Sequence, residues 1–111
     1  MLFCTPTGST AQNLSQGGGI LFPSFEGIEF TPCGISTNNL VRNLRNSICI
    51  PKGLDITLEP SNSEELTIIA DNKEVFSGLY DKIIISISDK YMIKLEDKSY
   101  SFVAKIRDKL I

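Results

Sequence analysis

The run from Thr5 to Gly19 limits the fold of this chain more than any other stretch of it. Pro6 removes a backbone donor and fixes its own φ, and Gly8 permits a sharp turn. Three consecutive glycines, Gly17 to Gly19, then end whatever helix precedes them, because a helix stop with positive φ favours glycine. The order predicted is a strand at Leu2-Phe3-Cys4, a tight turn and a brief helix from Thr10 to Ser15. Ser9 or Thr10 is the expected N-cap. A second strand, Ile20-Leu21-Phe22, is expected after the glycine stop. The first fifty residues carry only four charges, Glu26, Glu29, Arg42 and Arg45, yet hold six of the eight glycines and three of the five prolines. This half is expected to consist of turns and close backbone approaches.

The second half reads as regular strands. Leu54, Ile56 and Leu58 alternate with polar residues, which is strand period. Glu65 to Asp71 is a β-branched run, with Asp71-Asn72 as a turn into Lys73 to Phe76. Ile83 to Ile87 is apolar enough for a central strand. Tyr91, Ile93 and Leu95 alternate again before a turn at Asp97-Lys98. Ser47 to Ile50 is a shorter candidate, closed by Pro51. Ser99 is the expected cap of a last helix with Phe102, Val103, Ile106 and Leu110 on one face. Lys105, Arg107 and Lys109 near its end suit the helix dipole. The fold class predicted is mainly β: an antiparallel β-sandwich with a short helix after the first strand and a C-terminal helix.

Composition narrows the function classes. The chain has 111 residues, 41% hydrophobic and 22% charged, with a net charge of -2. That is one ordinary globular domain, with no basic excess that would mark a nucleic-acid or anionic-membrane partner. No apolar run approaches the roughly 20 residues of a membrane helix, and no signal peptide is visible, so a cytoplasmic location is expected. There is no histidine, and Cys4, Cys33 and Cys49 are few and widely spaced. A Cys/His zinc site and histidine-dependent acid–base schemes are thereby disfavoured.

The turn itself allows two readings. A helix start after a glycine turn offers backbone N–H groups to an anion, and Thr5, Thr7, Ser9, Thr10 and Ser15 add hydroxyls suited to ribose or phosphate oxygens. Equally, Ser, Thr and Gly at such positions simply cap a helix and close a turn. Spacing leaves both open. The stretch is neither a Walker A loop, since no lysine follows its glycine in the required place, nor G-x-G-x-x-G. Ser9 has no neighbouring base that would make it a nucleophile.

Residues 5 to 20, TPTGSTAQNLSQGGGI, closely resemble the T-P-T-G-S-T-A-Y-x-L-S-x-G-G-P-I signature of NAD kinases. Weaker likenesses follow in order along nearly the whole chain. Phe30-Thr31-Pro32 sits where the family has its next T-P. Asn39-Leu40-Val41 resembles the end of S-N-R-P-L-V. Ala70-Asp71-Asn72-Lys73 is similar to a V-D-G-Q turn, and the stretch from Ser99 to Leu110 resembles the family's closing helix.

That resemblance implies a function. NAD kinases move the γ-phosphoryl group of ATP, or of polyphosphate, to the adenosine-ribose 2′-hydroxyl of NAD, giving NADP, with a divalent metal such as Mg²⁺. They combine an N-terminal α/β domain with a C-terminal β-sandwich and form homo-oligomers. By motif, Thr10, Ala11, Gln12, Asn13, Leu14 and Ser15 would line the NAD site, and Lys73 would stand in place of a contacting glutamine. Gln12 replaces a tyrosine, which removes an aromatic surface while leaving an amide for an adenine edge. Lys73 could meet a phosphate. The segment from Thr31 to Val41 is shorter than its counterpart, lacks its histidine, and has Asn39 near the usual arginine. The family's G-G-D-G motif does not occur in these residues. Residues 1–111 are therefore expected to be the C-terminal NAD-binding domain without its catalytic partner, inactive alone, with no metal of its own and no catalytic residue. The alternatives are a stand-alone non-catalytic nucleotide-binding or oligomerisation module and, more distantly, a relative of the lipid kinases.

Overall fold

The computed structural model describes residues 1–33, 46–59, 65–90, 95 and 97–111. It forms two compact units, one of Met1–Lys52 with Ile87–Ile111 and one of Gly53–Ser86. The sheets are antiparallel throughout, and two helices accompany them. The chain is thus mainly β, with a short helix after its first strand and a helix near its end.

In the first unit, β1 (Leu2–Cys4) leads into a single 3-10 turn at Pro6–Gly8 and then into α1 (Gln12–Ser15). Strand β2 (Gly27–Thr31) follows, and β3 (Ile48–Pro51) completes a three-stranded sheet in the order β1-β2-β3. Phe3 faces Phe30 and Ile28 faces Ile50, while Cys4 faces Glu29 and Glu29 faces Cys49. Side chains alternate between the two faces of a strand, so one face of this sheet is aliphatic and aromatic and the other holds Cys4, Glu29, Thr31 and Cys49. The Phe3 and Phe30 ring centroids are 5.2 Å apart, a separation suited to aromatic attraction. Helix α2 (Phe102–Leu110) ends the unit. Its Phe102 meets Phe22 edge-on, with ring centroids 5.0 Å apart.

The local structure departs from the expected one in several places. The first helix is four residues long and starts at Gln12, with Ala11 as an N-cap that makes no side-chain bond; Ser9 is committed elsewhere, as shown below. Ile20 to Phe22 form no strand, and the strand of this region is β2, whose central position is charged. The C-terminal helix is capped by Ser101 rather than Ser99, Ser101 Oγ accepting from Ala104 N at 3.3 Å. Phe102, Ile106 and Leu110 do share a face at helical spacing, but Val103 is 63% exposed and lies off it.

In the second unit, β4 (Ile56–Leu58) pairs with β7 (Ile83–Ile85), and β5 (Glu65–Ala70) with β6 (Lys73–Leu79). Asp71 and Asn72 both have positive φ, 49° and 64°. This is the two-residue turn whose twist matches that of a hairpin. The register shifts between Ile68 and Ile69 and leaves Val75 without an opposite residue, a β-bulge. Leu54 lies outside β4 and is exposed. The expected strand residues Tyr91 and Ile93 fall outside the described residues. Among the described residues no helix is long and apolar enough to cross a membrane.

Candidate functional site

The deepest side chains of the first unit are polar. Ser9 and Glu29 are 0% exposed, Asn13 1% and Thr31 2%, whereas Leu21 and Ile28 are the buried apolar side chains among the described residues. Burying polar groups is costly unless they are bonded, and here each is. Glu29 Oε1 accepts from Gly19 N at 2.7 Å, and Glu29 Oε2 accepts from Asn13 Nδ2 at 2.9 Å. Asn13 Nδ2 also donates to Gly19 O at 3.0 Å and Ser9 O at 3.3 Å. Thr31 Oγ1 donates to Asn13 Oδ1 at 2.5 Å. Among the described residues no buried side-chain nitrogen or oxygen lacks a partner. The orientation of the Asn13 amide is forced, since turning it over would set its oxygen against two carbonyls and a carboxylate.

Ser9 ties the turn to the chain beyond the glycines. Its hydroxyl donates to Pro6 O at 2.7 Å and accepts from Leu21 N at 2.9 Å. Two glycines make this possible. Gly17 stops α1 with φ 88°, a value that side chains rarely adopt. A Cβ on Gly18 would overlap the Asn13 amide, so only glycine lets the chain pass over that side chain.

This packing divides the residues singled out in the sequence. Thr10, Ala11, Gln12, Leu14 and Ser15 are exposed or half-buried on the outer side of the turn, and Asn13 lies inside, its amide fully engaged. Ser15 Oγ donates to Gln12 O at 2.7 Å and keeps lone pairs for a ligand. The expected array of free amides at a helix start is reduced. Gly8 N, Ser9 N and Ala11 N already bond to Thr5 O, Pro6 O and Gly8 O, and a four-residue helix has little dipole. Lys73 belongs to the second unit, where it is the exposed first residue of β6. Asn39 lies outside the described residues.

Beside Thr10 the first unit has a groove of about 150 Å³, also lined by Phe102, Lys105, Ile106, Lys109 and Leu110. Lys105 and Lys109 stand four apart on α2, hence on one face. Among the described residues neither is in an ion pair. By sequence these lysines suit the helix dipole, and nothing in their local spacing points to Thr10.

Cys4, Glu29 and Cys49 form a row across the polar face of the sheet. Loss of water, then the charge of Glu29, then Cys49 push the Cys4 thiol up to about 11. Cys49 is exposed overall but is shifted upward by partial desolvation and by Glu29. Both thiols are thereby kept protonated and poorly nucleophilic at neutral pH. Among the described residues no group of three or more His, Cys, Asp or Glu is placed to hold a metal ion. The described residues therefore do not by themselves fit the divalent metal that the resemblance implies.

Comparison with known proteins gives a consistent result. The chain is 37% identical over 112 residues to an NAD kinase of Streptococcus agalactiae, covering 100% of this chain and 41% of that protein. It is 36% identical over 108 residues to an NAD kinase of Streptococcus pyogenes, covering 96% of this chain and 39% of the relative. An NAD kinase of Streptococcus thermophilus is 32% identical, with the same two shares. The chain thus spans about two-fifths of the length of the curated relatives that it matches. No family model matches it.

Proposed function

We propose, on the premise that this chain belongs to the NAD kinase family and corresponds to part of such an enzyme, that its turn from Thr10 to Ser15 contacts the dinucleotide. The observation that carries this reading is the division of the turn. Ser9 and Asn13 are spent on internal bonds, and Thr10, Ala11, Gln12 and Ser15 are left outward on a backbone they hold in place. Hydroxyls at positions 10 and 15 suit ribose oxygens, and the Gln12 amide suits an adenine edge. Leu14 supplies apolar contact, and Asn13 contributes through the network. The ammonium groups of Lys105 and Lys109 beside Thr10 give the ligand's phosphates a cationic rim.

In this reading the complete enzyme makes NADP from NAD with ATP or polyphosphate as donor and a divalent metal as charge neutraliser. It works in the cytoplasm as a homo-oligomer. The 111 residues contain no G-G-D-G, and they bind without turning over. Calorimetry with NAD and NADP tests the proposal on this chain beside a Thr10→Ala, Ser15→Ala double variant. Binding by the wild type that disappears in the variant is expected. Absence of wild-type binding at millimolar ligand, or equal binding by both proteins, overturns it.

A further inference from the structure

The carboxylate of Glu29 sits at the centre of β2 with 0% exposure, and among the described residues it has no ion-pair partner. A buried acidic side chain without a cation is expensive to retain. A neutral or apolar residue would serve a strand that only had to pair. The two oxygens of Glu29 do something else. One holds the backbone of Gly19, just beyond the helix stop, and the other holds Asn13, inside α1. A single side chain thus ties the middle of α1 to the chain just past its glycine stop.

We propose that Glu29 is a positioning residue for the dinucleotide site. Acting through Asn13 and the glycine stop, it sets the orientation in which Thr10 to Ser15 meet the ligand; this rests on the reading of function above. The polarity of the clamp is specific. Asn13 Nδ2 must donate, because it also faces the carbonyls of Ser9 and Gly19, and Asn13 Oδ1 must accept from Thr31. The partner at position 29 must therefore accept at both oxygens: from Gly19 N and from Asn13 Nδ2. A carboxylate does so. The Gln amide, equal in size, presents a donor at one of the two places and sets N–H against N–H.

Glu29→Gln should therefore loosen the turn while leaving the sheet paired. Its expected effects are a rise of about tenfold or more in the Kd for NAD and faster amide hydrogen exchange at Gly19 and Leu21. The β2 amides of Ile28 and Phe30 should be unchanged. A general loss of stability would speed exchange at all four. Should Glu29→Gln fail to fold, Thr31→Val replaces it. That variant removes only the bond to Asn13 Oδ1 and should show the same local pattern with a smaller change, about threefold. Wild-type binding with an unchanged Kd in the variant, or exchange accelerated evenly through the sheet, overturns the positioning role and leaves the functional reading standing. No NAD binding by the wild-type chain overturns the functional reading itself, and the inference with it.

Discussion

The segment from Thr5 to Thr31 and the β5–β6 hairpin are both ordered by hydrogen bonds, but the bonds differ in reach. In the hairpin, Thr67 meets Ser77 at 3.1 Å across a pair of strands joined by two residues, and most of its side chains are exposed. Its order follows from turn chemistry and alternation close by in sequence. In the turn segment, Asn13 bonds Glu29 and Thr31, sixteen and eighteen positions away, and every partner is buried. A local device tolerates change at most positions. A buried polar network tolerates little, because one missing partner leaves others unsatisfied in a medium where that is costly.

Gly18→Ala should break the turn segment hardest after substitution of the network residues themselves. The new Cβ overlaps the Asn13 amide, which cannot swing aside without abandoning its partners. A loss of about 2 kcal/mol in urea denaturation is expected, as for other overpacked sites, together with loss of NAD binding. A loss under about 0.5 kcal/mol would show that the network yields, and the contrast with the hairpin would disappear. Asn72→Ala probes the other side of the comparison. Alanine at φ 64° should cost about 1 kcal/mol, read as faster exchange confined to the amides of β5 and β6. Faster exchange at Gly19 as well would mean that the hairpin is not the local device described.

A further effect is one of pH. The Cys4 thiol is raised from 9.0 to about 11 by burial and by Glu29. Below pH 9.0 both folded and unfolded chains keep the proton, and its contribution to stability is complete. As pH rises from there the unfolded thiol ionises first, so stability falls until the folded thiol also ionises near 11. Wild type should thus lose more stability than Cys4→Ala over this window, in denaturation curves taken at its two ends. Equal losses would show that the Cys4–Glu29–Cys49 row is open to water.

Most of the hairpin was legible in the sequence. Glu65 to Asp71 and Lys73 onward have strand composition, and Asp71-Asn72 are residues that accept positive φ. The 3-10 turn, the helix stop at Gly17 and the C-terminal helix were legible for the same reason, that proline, glycine and helical spacing act on neighbours. Strand β2 was not. A charged residue at its middle hides a strand from any reading of apolar alternation, and what makes Glu29 acceptable there is Gly19, ten residues back. Ser9 looks like a helix cap by its place before the helix, yet Leu21 N claims its hydroxyl. Asn13 cannot be told from its motif neighbours by sequence; burial separates it from Thr10, Ala11 and Gln12. The groove beside Thr10 was invisible because its lysines lie some ninety-five residues further along, Lys105 against Thr10.

The sequence by itself determined the family, the antiparallel and mainly β character, and the places where the chain turns. These are read from residue types and from contacts within a few positions. The tertiary structure alone decided which members of the motif face outward and which are spent on holding it. That choice depends on where two oxygens of one buried carboxylate fall in space, and residues sixteen or more apart come within bonding distance only after β2 has paired and α1 has folded against it.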